Sequence, residues 1–457
     1  GARSQQPGEA LLPTVLPHDP GDVGVVVVGE GEEPGQAALG VRGDGDAPAV
    51  AQPLPQRAHV RVSASGGGSG GQRRGHPGAQ VDGHPGRRGG GQQAGFADGG
   101  QCGTLDQGVR IVAGRGRLVG PHEVEITPHD GPAEVVGADT IVLATGSRPR
   151  VPDFAQADGD RVLTTRHAYP PPVLPEHLVV IGSGVTGVEF VHMFSAFGSD
   201  VTLIVSRQQV LPQKDPEVAA VLEDDFLRRG VNLFKGARAE AIDVDGDGVA
   251  VHCDDGRTAR GSHALLCIGS VPNSEGLGLD EAGVETDHGY VVVDHNCRSS
   301  QPHIYAAGDL SGKLPLSSVA SMQGRKIAEH ALGLHQRPHR HLDYDKAASA
   351  IFTDPEIADV GLAEADAFAS GRKVRVTKVP FSASAKALIN DDPRGFVKIV
   401  SDPATGVVLG GSIVGQHAAE LISVLALAVT AGLRVTDIVE SLLVHPALAE
   451  SLADAAE

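Results

Sequence analysis

Chemistry is clearest where an apolar strand runs into a glycine-rich turn. Residues 178–181 are all apolar, a pattern typical of a buried parallel strand. The residues that follow are Gly182, Ser183, Gly184, Val185, Thr186, Gly187, Val188 and Glu189. The first glycine permits a tight turn, the second lets backbone N–H groups approach a pyrophosphate, and the third lets the helix pack closely on the strand. A second apolar run at residues 201–205 follows at βαβ spacing, so this segment predicts a site for NAD, NADP or FAD.

The residues after the second strand bear on which nicotinamide dinucleotide fits. An acidic residue there would bond the 2′-hydroxyl of the adenosine ribose and repel a 2′-phosphate. This chain has Ser206 and Arg207 instead. A hydroxyl beside a guanidinium tolerates a phosphate, so the sequence permits NADPH and does not exclude NADH. The alternative, that Arg207 is only a solvated surface charge, stays open.

Length, charge and cysteine content limit the classes of protein to which this chain can belong. The chain has 457 residues, enough for two or three domains, and a net charge of -19. That charge, without a basic stripe interleaved with aromatic residues, argues against a nucleic-acid partner. The four cysteines are Cys102, Cys253, Cys267 and Cys297, which form neither a CxxC pair nor a disulfide ladder and suit a reducing compartment. No apolar run reaches membrane-spanning length and no signal peptide opens the chain, so we expect a cytoplasmic protein.

Histidines at His335, His339 and His341 lie in a polar, proline-containing stretch. We interpret them as solvated side chains, and we predict no metal site.

The first hundred residues differ sharply from the rest. They contain 25 of the 61 glycines and a single aromatic residue, Phe96. Glycine-rich segments such as residues 65–71 and 83–91 have no hydrophobic period and cannot bury enough apolar surface to offset chain entropy. We therefore expect most of this region not to fold stably.

From residue 108 onward the hydrophobic pattern becomes regular. We predict strands at residues 109–114, 124–126, 140–147, 241–244, 249–253 and 264–268, and an amphipathic helix at residues 217–229. Beyond residue 346 the predicted strands are 349–352, 374–379, 396–400 and 406–414, and the predicted helices are 418–431 and 435–443. A run of strands followed by helices favours a separate α+β domain.

Three further short segments have the composition of cofactor turns. They are Ala-Thr-Gly-Ser-Arg-Pro at residues 144–149, Gly-Ser-Val-Pro-Asn at residues 269–273, and Ile-Tyr-Ala-Ala-Gly-Asp at residues 304–309. In this order the motifs resemble the class I flavoprotein pyridine nucleotide-disulfide oxidoreductases, the family of dihydrolipoyl dehydrogenase, glutathione reductase and actinobacterial NAD(P)H quinone reductases. The resemblance covers about residues 108–457.

The resemblance implies roles for these turns. The turn of Ala144, Thr145 and Gly146 would lie against FAD, and Gly269 would open the turn that closes the NAD domain. Gly308 and Asp309 would belong to the second FAD fingerprint, in which the aspartate bonds the ribityl chain. Leu316, Ser317 and Ser318 would place backbone amides near the isoalloxazine ring. Taken singly, Asp309 is typical of a helix cap and Thr145-Gly146 of an ordinary turn; their order favours the flavin interpretation.

The segment from His445 to Glu450 resembles the family's HxHPTxxE motif. There the second histidine is the acid-base of disulfide exchange, the glutamate orients it, and the segment crosses a dimer interface. His445 and Glu450 match, whereas Leu443 and Ala447 depart from the pattern. The resemblance therefore implies a homodimer with His445 and Glu450 as catalytic residues. The alternative is a histidine and a glutamate near a frayed C-terminal helix.

Two family features are missing from the sequence. The nearest match to the first glycine-rich FAD turn is residues 25–35, but it places three carboxylates where a diphosphate would lie and Pro34 interrupts the helix start. We favour an incidental apolar run there. Cys102 is the only cysteine before residue 250, so no CxxxxC redox pair can form.

Two explanations compete for this gap. The chain is either a cysteine-free reductase that passes electrons directly to a small acceptor, or its first 106 residues come from a shifted reading frame of GC-rich DNA. We favour the second as a hypothesis. Re-sequencing the coding DNA tests it, because no alternative frame should restore the missing motifs if the hypothesis is wrong.

The expected fold class is α/β, with two Rossmann-like nucleotide-binding domains and a C-terminal α+β dimerisation domain. We expect an aberrant low-complexity region at 1–107, a split FAD domain at 108–150 and 273–345, an inserted NAD(P) domain at 151–272, and the dimerisation domain at 346–457. The expected function is transfer of hydride from NAD(P)H through FAD to a quinone-type or other small acceptor. A dihydrolipoyl dehydrogenase-like activity and a dimeric NAD(P)-binding scaffold without FAD are the alternatives.

Overall fold

The computed structural model describes residues 22–28 and 59–65 by their backbone, and residues 109–457 except 172, 247 and 335–340. The chain divides into two compact units. One contains the described residues up to Ser147 together with Pro272–His341, and the other contains Arg148–Val271 and Leu342–Glu457. Cys102, His335 and His339 lie outside the described residues.

The secondary-structure elements are numbered in chain order. The first strands are β1 (Asp22–Val28), β2 (His59–Ser65), β3 (Val109–Gly120), β4 (Glu123–Pro128), β5 (Glu134–Gly137), β6 (Thr140–Ala144), β7 (Ser147–Pro149), β8 (Val162–Thr164), β9 (His177–Ile181), β10 (Asp200–Val205), β11 (Asn232–Lys235) and β12 (Ala239–Asp245). The others are β13 (Gly248–Cys253), β14 (Thr258–Gly261), β15 (His263–Leu266), β16 (Ser270–Pro272), β17 (Thr286–Asp287), β18 (Tyr290–Val291), β19 (Ile304–Ala306), β20 (Ser349–Ile351), β21 (Ile357–Gly361), β22 (Arg375–Pro380), β23 (Phe396–Ser401) and β24 (Val408–Val414). The helices are α1 (Val185–Ala196), α2 (Pro216–Arg228), α3 (Ser317–Ala331), α4 (Glu364–Ala369), α5 (Ala385–Ile389), α6 (Ala418–Ala431), α7 (Val435–Val439) and α8 (Glu450–Ala456).

The first unit is built on a seven-stranded mixed sheet in the order β19-β6-β1-β2-β3-β4-β5. Its core contains Leu118, Val124, Ile141, Leu143 and Ile304, each at most 2% exposed. β19 and β6 run parallel, so their carboxyl ends meet at one edge of the sheet. The two turns that the sequence assigns to the flavin follow at that edge.

The direction of β1 corrects the interpretation of residues 25–28, while residues 29–35 of the same segment lie outside the described residues. The apolar run is not incidental, because it forms a strand of the sheet; it runs antiparallel to β6 and places Val28 opposite Thr140. The carboxyl end of β1 therefore lies at the opposite edge from Thr145 and Asp309. A phosphate-binding turn that followed β1 would leave the sheet at the wrong edge for those turns. The segments β1 and β2 also show that parts of the first hundred residues take up regular structure, which the composition did not predict.

The second unit contains a parallel five-stranded sheet in the order β11-β10-β9-β15-β8. Both faces of its central strands are buried, which explains the continuous apolar runs that predicted β9 and β10. Helices α1 and α2 contribute Phe194 and Phe226 to the core beneath it, both with no exposed surface. A small antiparallel sheet, β12-β13-β14, follows in the chain.

The rest of the second unit is an antiparallel sheet, β20-β21-β24-β23-β22, on which helix α6 packs. Leu425 of α6 lies over Gly411 of β24, where any larger residue would collide with it. Residues of this sheet, including Ile351, Phe396 and Val414, share one hydrophobic core with the parallel sheet. The two parts of the unit are therefore packed against each other.

The predicted helix at 435–443 is too long. Helix α7 ends at Val439, and the Ser441 hydroxyl then donates to the Asp437 carbonyl and covers a backbone acceptor at the helix end. Pro446 follows soon after, and a proline disfavours helical geometry in the residue that precedes it. In the described ranges no helix is both long enough and apolar enough to cross a bilayer.

Candidate functional site

The glycine turn between β9 and α1 has the geometry of a phosphate-binding loop. Gly182 has a φ of +108°, and its N–H donates to the Ile204 carbonyl at 3.2 Å. Gly184 is the N-cap of α1, and no described side chain caps the helix there. The first-turn N–H groups, which include those of the exposed Val185 and Thr186, therefore point outward at the positive end of the helix.

The three glycines of the turn have different steric roles. A Cβ at Gly182 would lie 2.4 Å from the Cys267 carbonyl oxygen, and one at Gly187 would lie 1.9 Å from the Gly182 carbonyl oxygen. Both glycines are needed for the close packing of β9, α1 and β15. A Cβ at Gly184 would meet no described atom within 4 Å. The open side of Gly184 is where a pyrophosphate would approach.

The loop after β10 is held firmly while its recognition side chains stay exposed. The Leu211 N–H donates to the Ser183 carbonyl at 2.8 Å, which ties this loop to the glycine turn. The Val210 N–H donates to Glu223 Oε1 at 2.9 Å. Ser206 and Arg207 are exposed, and among the described residues the Arg207 guanidinium has no ion-pair or hydrogen-bond partner. The arrangement leaves that guanidinium available to a ligand.

Glu189 and His192 lie on the same helix beside a surface cleft of about 490 Å³. Its lining includes Tyr169, Glu189, His192, Met193, Phe197 and Phe352. Glu189 Oε1 accepts the Phe352 N–H at 3.0 Å, and burial raises the pKa of this carboxyl. Burial, and then the nearby Arg229 charge, lower the pKa of His192. Phe352 could not be connected with Glu189 from the sequence, because the fold joins residues that are 163 positions apart.

Gly269 follows β15 at the same sheet edge as the glycine turn. It has a φ of +94°, is exposed, and its carbonyl accepts the Arg150 N–H at 2.9 Å. Val188 and Ser183, the other predicted nucleotide-binding residues near β9, are buried.

In the first unit, the turn after β6 is locked to the segment around Asn273. Thr145 Oγ1 donates to the Asn273 carbonyl at 2.8 Å, and Asn273 Nδ2 donates to the Thr145 carbonyl at 2.9 Å. The Asn273 N–H donates to the Gly146 carbonyl at 3.0 Å. Ala144 is the last residue of β6, so these bonds fix where the strand ends.

Asp309 lies beside that turn. Ser147 Oγ donates to Asp309 Oδ2 at 2.6 Å, which joins the two predicted flavin turns directly. The Gly308 N–H donates to the fully buried Gln323 side chain at 2.7 Å, and Gln323 Nε2 donates to Ser311 Oγ at 3.2 Å. Gln323 could not be recognised as functional from the sequence, because a glutamine within a helix carries no signal of its own.

Helix α3 begins close to this turn in the chain. Leu316 is its N-cap, and no described side chain caps the first turn. Ser317 and Ser318 are exposed, so their backbone N–H groups are available at the positive helix end.

His445 and Glu450 form the hydrogen-bonded pair that the resemblance to the family motif implies. His445 Nδ1 lies 2.8 Å from Glu450 Oε1, and the Ala447 N–H donates to Glu450 Oε2 at 2.9 Å. These two interactions, the backbone one first, lower the pKa of Glu450. The His445 side chain is 73% exposed, so its Nε2 faces outward. Such a pair holds one tautomer and can exchange a proton at Nε2.

Three carboxylates converge elsewhere in the second unit. Oxygen atoms of Asp215, Glu217 and Glu364 lie within 4.8 Å of one another, as the ligands of a cation would. The ammonium of Lys398 already contacts all three. We therefore interpret the group as an internal ion-pair cluster.

Comparison with known proteins decides the family. Residues 51–324 match the pyridine nucleotide-disulphide oxidoreductases, and residues 347–456 match their dimerisation domain. The chain belongs to this family. The resemblance drawn from the sequence and the predicted fold class are thereby confirmed, and the family is one of enzymes that use FAD and NAD(P)H.

Both activities that the sequence suggests are found in the names of its relatives. An NAD(P)H dehydrogenase (quinone) of Mycobacterium tuberculosis is 44% identical over 359 residues, which are 77% of this chain and 72% of that protein. A dihydrolipoyl dehydrogenase of Zymomonas mobilis is 34% identical over 349 residues, 75% of this chain and 74% of that protein. The crystal structure of LpdA from Mycobacterium tuberculosis matches with a TM-score of 0.74 and 42% identity over 78% of each chain.

The described residues fit one half of FAD. The joined turns of Thr145 and Asp309, with the uncapped start of α3, provide a carboxylate and backbone donors suited to a ribityl chain and a flavin ring. For the adenosine diphosphate half, β1 offers no phosphate-binding turn at this edge, because it runs antiparallel to β6 and its carboxyl end lies at the opposite edge.

Proposed function

We propose that this protein is an NAD(P)H:acceptor oxidoreductase that transfers reducing equivalents through FAD to a quinone-type or other small acceptor. The observation that carries the proposal is the phosphate-binding loop, with Gly184 open toward solvent at the positive end of α1. It occurs in a chain 44% identical to an NAD(P)H dehydrogenase (quinone).

The residues divide into two groups by the ligand they would hold. Gly182, Gly184 and the first turn of α1 would hold the pyrophosphate of NAD(P)H, with Ser206 and Arg207 facing the adenosine ribose. Glu189 would lie near the nicotinamide end of this site, since it follows the loop on the same helix.

The second group would hold the flavin. Asp309, positioned by Ser147, would accept hydrogen bonds from the ribityl hydroxyls, and the N–H groups of Ser317 and Ser318 would face the ring. Bound FAD supplies the hydride acceptor, and the protein supplies position and electrostatics.

The visible absorbance of the purified protein tests the proposal first. A flavin spectrum that NADPH or NADH bleaches, with electrons recovered on a quinone, supports it. Protein that binds NADP+ or NAD+ but lacks flavin absorbance contradicts it and favours the dimeric scaffold.

A dihydrolipoyl dehydrogenase-like activity is the second candidate, and the hydrogen bond between His445 and Glu450 favours it. A direct quinone reductase has no need of a disulfide acid-base. Against it stands the sequence, which offers only Cys102 before residue 250 and so no dithiol. Turnover with lipoamide and with a quinone, measured side by side, separates the two.

We also propose that the protein acts in the cytoplasm as a homodimer. The dimerisation domain supports the assembly, and the buried thiols of Cys253 and Cys267 suit a reducing compartment. Cell fractionation and sedimentation at micromolar concentration test these two points.

A further inference from the structure

Three charged contacts join the NAD(P)-binding part of the second unit to its C-terminal sheet at the start of α2, one of them the pair of Lys378 on β22 with Glu217. The first is the cluster around Lys398 on β23. Lys398 Nζ lies 2.7 Å from Asp215 Oδ2, 2.5 Å from Glu217 Oε2 and 2.8 Å from Glu364 Oε2. The lysine is only 2% exposed. Burial would lower its pKa, but the bonds to the three carboxylates raise it, so the ammonium stays charged.

Asp215 connects Lys398 to helix α2. It is the N-cap of the helix, and its other oxygen, Oδ1, accepts the Glu217 N–H at 2.8 Å. One carboxylate thus caps the helix and pairs with a cation from the C-terminal sheet. Its side chain is 6% exposed, so water competes little for either interaction.

The second contact is one residue earlier in the chain. Lys214 Nζ lies 2.5 Å from Asp359 Oδ2 on β21 and 3.2 Å from Ser349 Oγ on β20. Ser349 Oγ donates to Asp359 Oδ1 at 3.1 Å. Consecutive residues of the NAD(P)-binding part are therefore held by three strands of the C-terminal sheet.

The anchored residues lead directly back to the nucleotide loop. The Lys214 N–H donates to the Leu211 carbonyl at 2.8 Å, and Gln209 Nε2 donates to the Lys214 carbonyl at 3.1 Å. Leu211, with a φ of +48°, donates its own N–H to Ser183. The anchor, the loop that carries Arg207 and the glycine turn form one continuous chain of hydrogen bonds.

We propose that Lys398 and Asp359 are positioning residues that hold the 206–211 loop, and with it Arg207, in the geometry that receives an adenosine 2′-phosphate. The inference rests on the proposed function, since it assigns the loop to the nucleotide. Binding of NADP+ depends on the 206–211 loop, whereas binding of NAD+ depends chiefly on the glycine turn and the N-terminal end of α1. Loosening the anchor should therefore weaken NADP+ more than NAD+.

A matched control exists at the other end of α2. Arg394, which pairs with Asp354 of its own part at 2.6 Å, also joins the two parts of the unit through Asp225 at 2.9 Å. Asp225 lies in the last turn of the helix, at the opposite end from the N-cap Asp215. Removing this contact loosens the same boundary without touching the proposed anchor.

The test is titration calorimetry of the full-length protein and its variants with NADP+ and NAD+. We expect Lys398→Met and Asp359→Ala to weaken NADP+ about tenfold and NAD+ by less than about threefold, the loss expected when a hydrogen bond to a charged group is misplaced. Lys398→Arg restores the charge and should restore most of the affinity. Arg394→Gln should change the affinity for neither nucleotide.

The other possible results would overturn either this proposal or the proposed function. Equal weakening of both nucleotides, an equal loss in Arg394→Gln, or wild-type affinity in Asp359→Ala would overturn the proposal. Asp359 is 29% exposed, so its variant decides the matter if Lys398→Met fails to fold. Wild-type protein that binds NAD+ alone would overturn the anchor and leave the proposed function standing. Wild-type protein that binds neither nucleotide would overturn the proposed function itself.

Discussion

Alanine at Gly184 and alanine at Gly187 should both weaken nucleotide binding, but only the alanine at Gly187 should also lower stability. At Gly187 the new Cβ would lie 1.9 Å from the Gly182 carbonyl oxygen, whereas carbon and oxygen ordinarily approach no closer than about 3.3 Å. Helix α1 would have to move away from the turn by more than an ångström. Overpacking of this kind costs about 2 kcal/mol, which lowers the Tm of a unit this large by roughly 4 to 8 °C.

Gly184→Ala meets no such obstacle. Its φ of -73° suits any residue, and no described atom lies within 4 Å of the added Cβ. We expect stability within about 0.5 kcal/mol of wild type. The methyl group would occupy the side from which a pyrophosphate approaches and would cost at least one hydrogen bond to a charged group, a loss of about 10- to 100-fold in Kd.

Thermal unfolding and nucleotide titration of the two variants form the assay. The expected pattern is a folded Gly184→Ala protein that binds weakly and a Gly187→Ala protein that both melts early and binds weakly. Wild-type affinity in Gly184→Ala would refute the placement of the pyrophosphate. A wild-type Tm in Gly187→Ala would refute the steric argument.

Three further predictions follow from charged groups. His445→Ala should lower any lipoamide activity about 100-fold and leave quinone reduction nearly unchanged; equal losses would contradict the assigned role. Glu189→Gln should raise the Tm more at pH 8 than at pH 5, because the raised pKa means that the native protein binds this proton more tightly and loses stability as pH rises above about 4.5; a pH-independent difference would count against it. Asp225→Asn removes the buried partner of Arg394 and should cost about 3 kcal/mol in urea unfolding. The exposed Asp224→Asn should cost less than about 1 kcal/mol, and similar losses in both would show that burial does not matter here.

Local patterns predicted the nucleotide loop well. The apolar runs 178–181 and 201–205 predicted β9 and β10 to within one residue, because strands buried on both faces, here by helices α1 and α2 and by the β12-β13-β14 sheet, need apolar residues throughout. The additional residues, His177 and Asp200, are the less buried first residues of the two strands. The glycine turn was equally legible, since steric demands at Gly182 and Gly187 leave little choice of residue. The pairing of His445 with Glu450 followed from a family motif at fixed spacing.

Contacts between distant segments were beyond prediction from a single sequence. Lys398 reads as one polar residue in an apolar strand, and its partner Asp215 is 183 positions away. The role of this lysine becomes evident only from the packing of β23 against the start of α2. The same holds for Ser147 and Asp309, whose hydrogen bond spans 162 positions.

The orientation of β1 sets a condition on any attempt to rebuild a complete FAD domain from this chain. β1 sits in the middle of its sheet, between β6 and β2, so the slot for a strand beside β6 is already taken by a segment of the opposite polarity. Point substitutions can change side chains but cannot reverse a strand. A graft would have to exchange the whole stretch before β3 as one block, with a donor segment that enters the sheet from the other end.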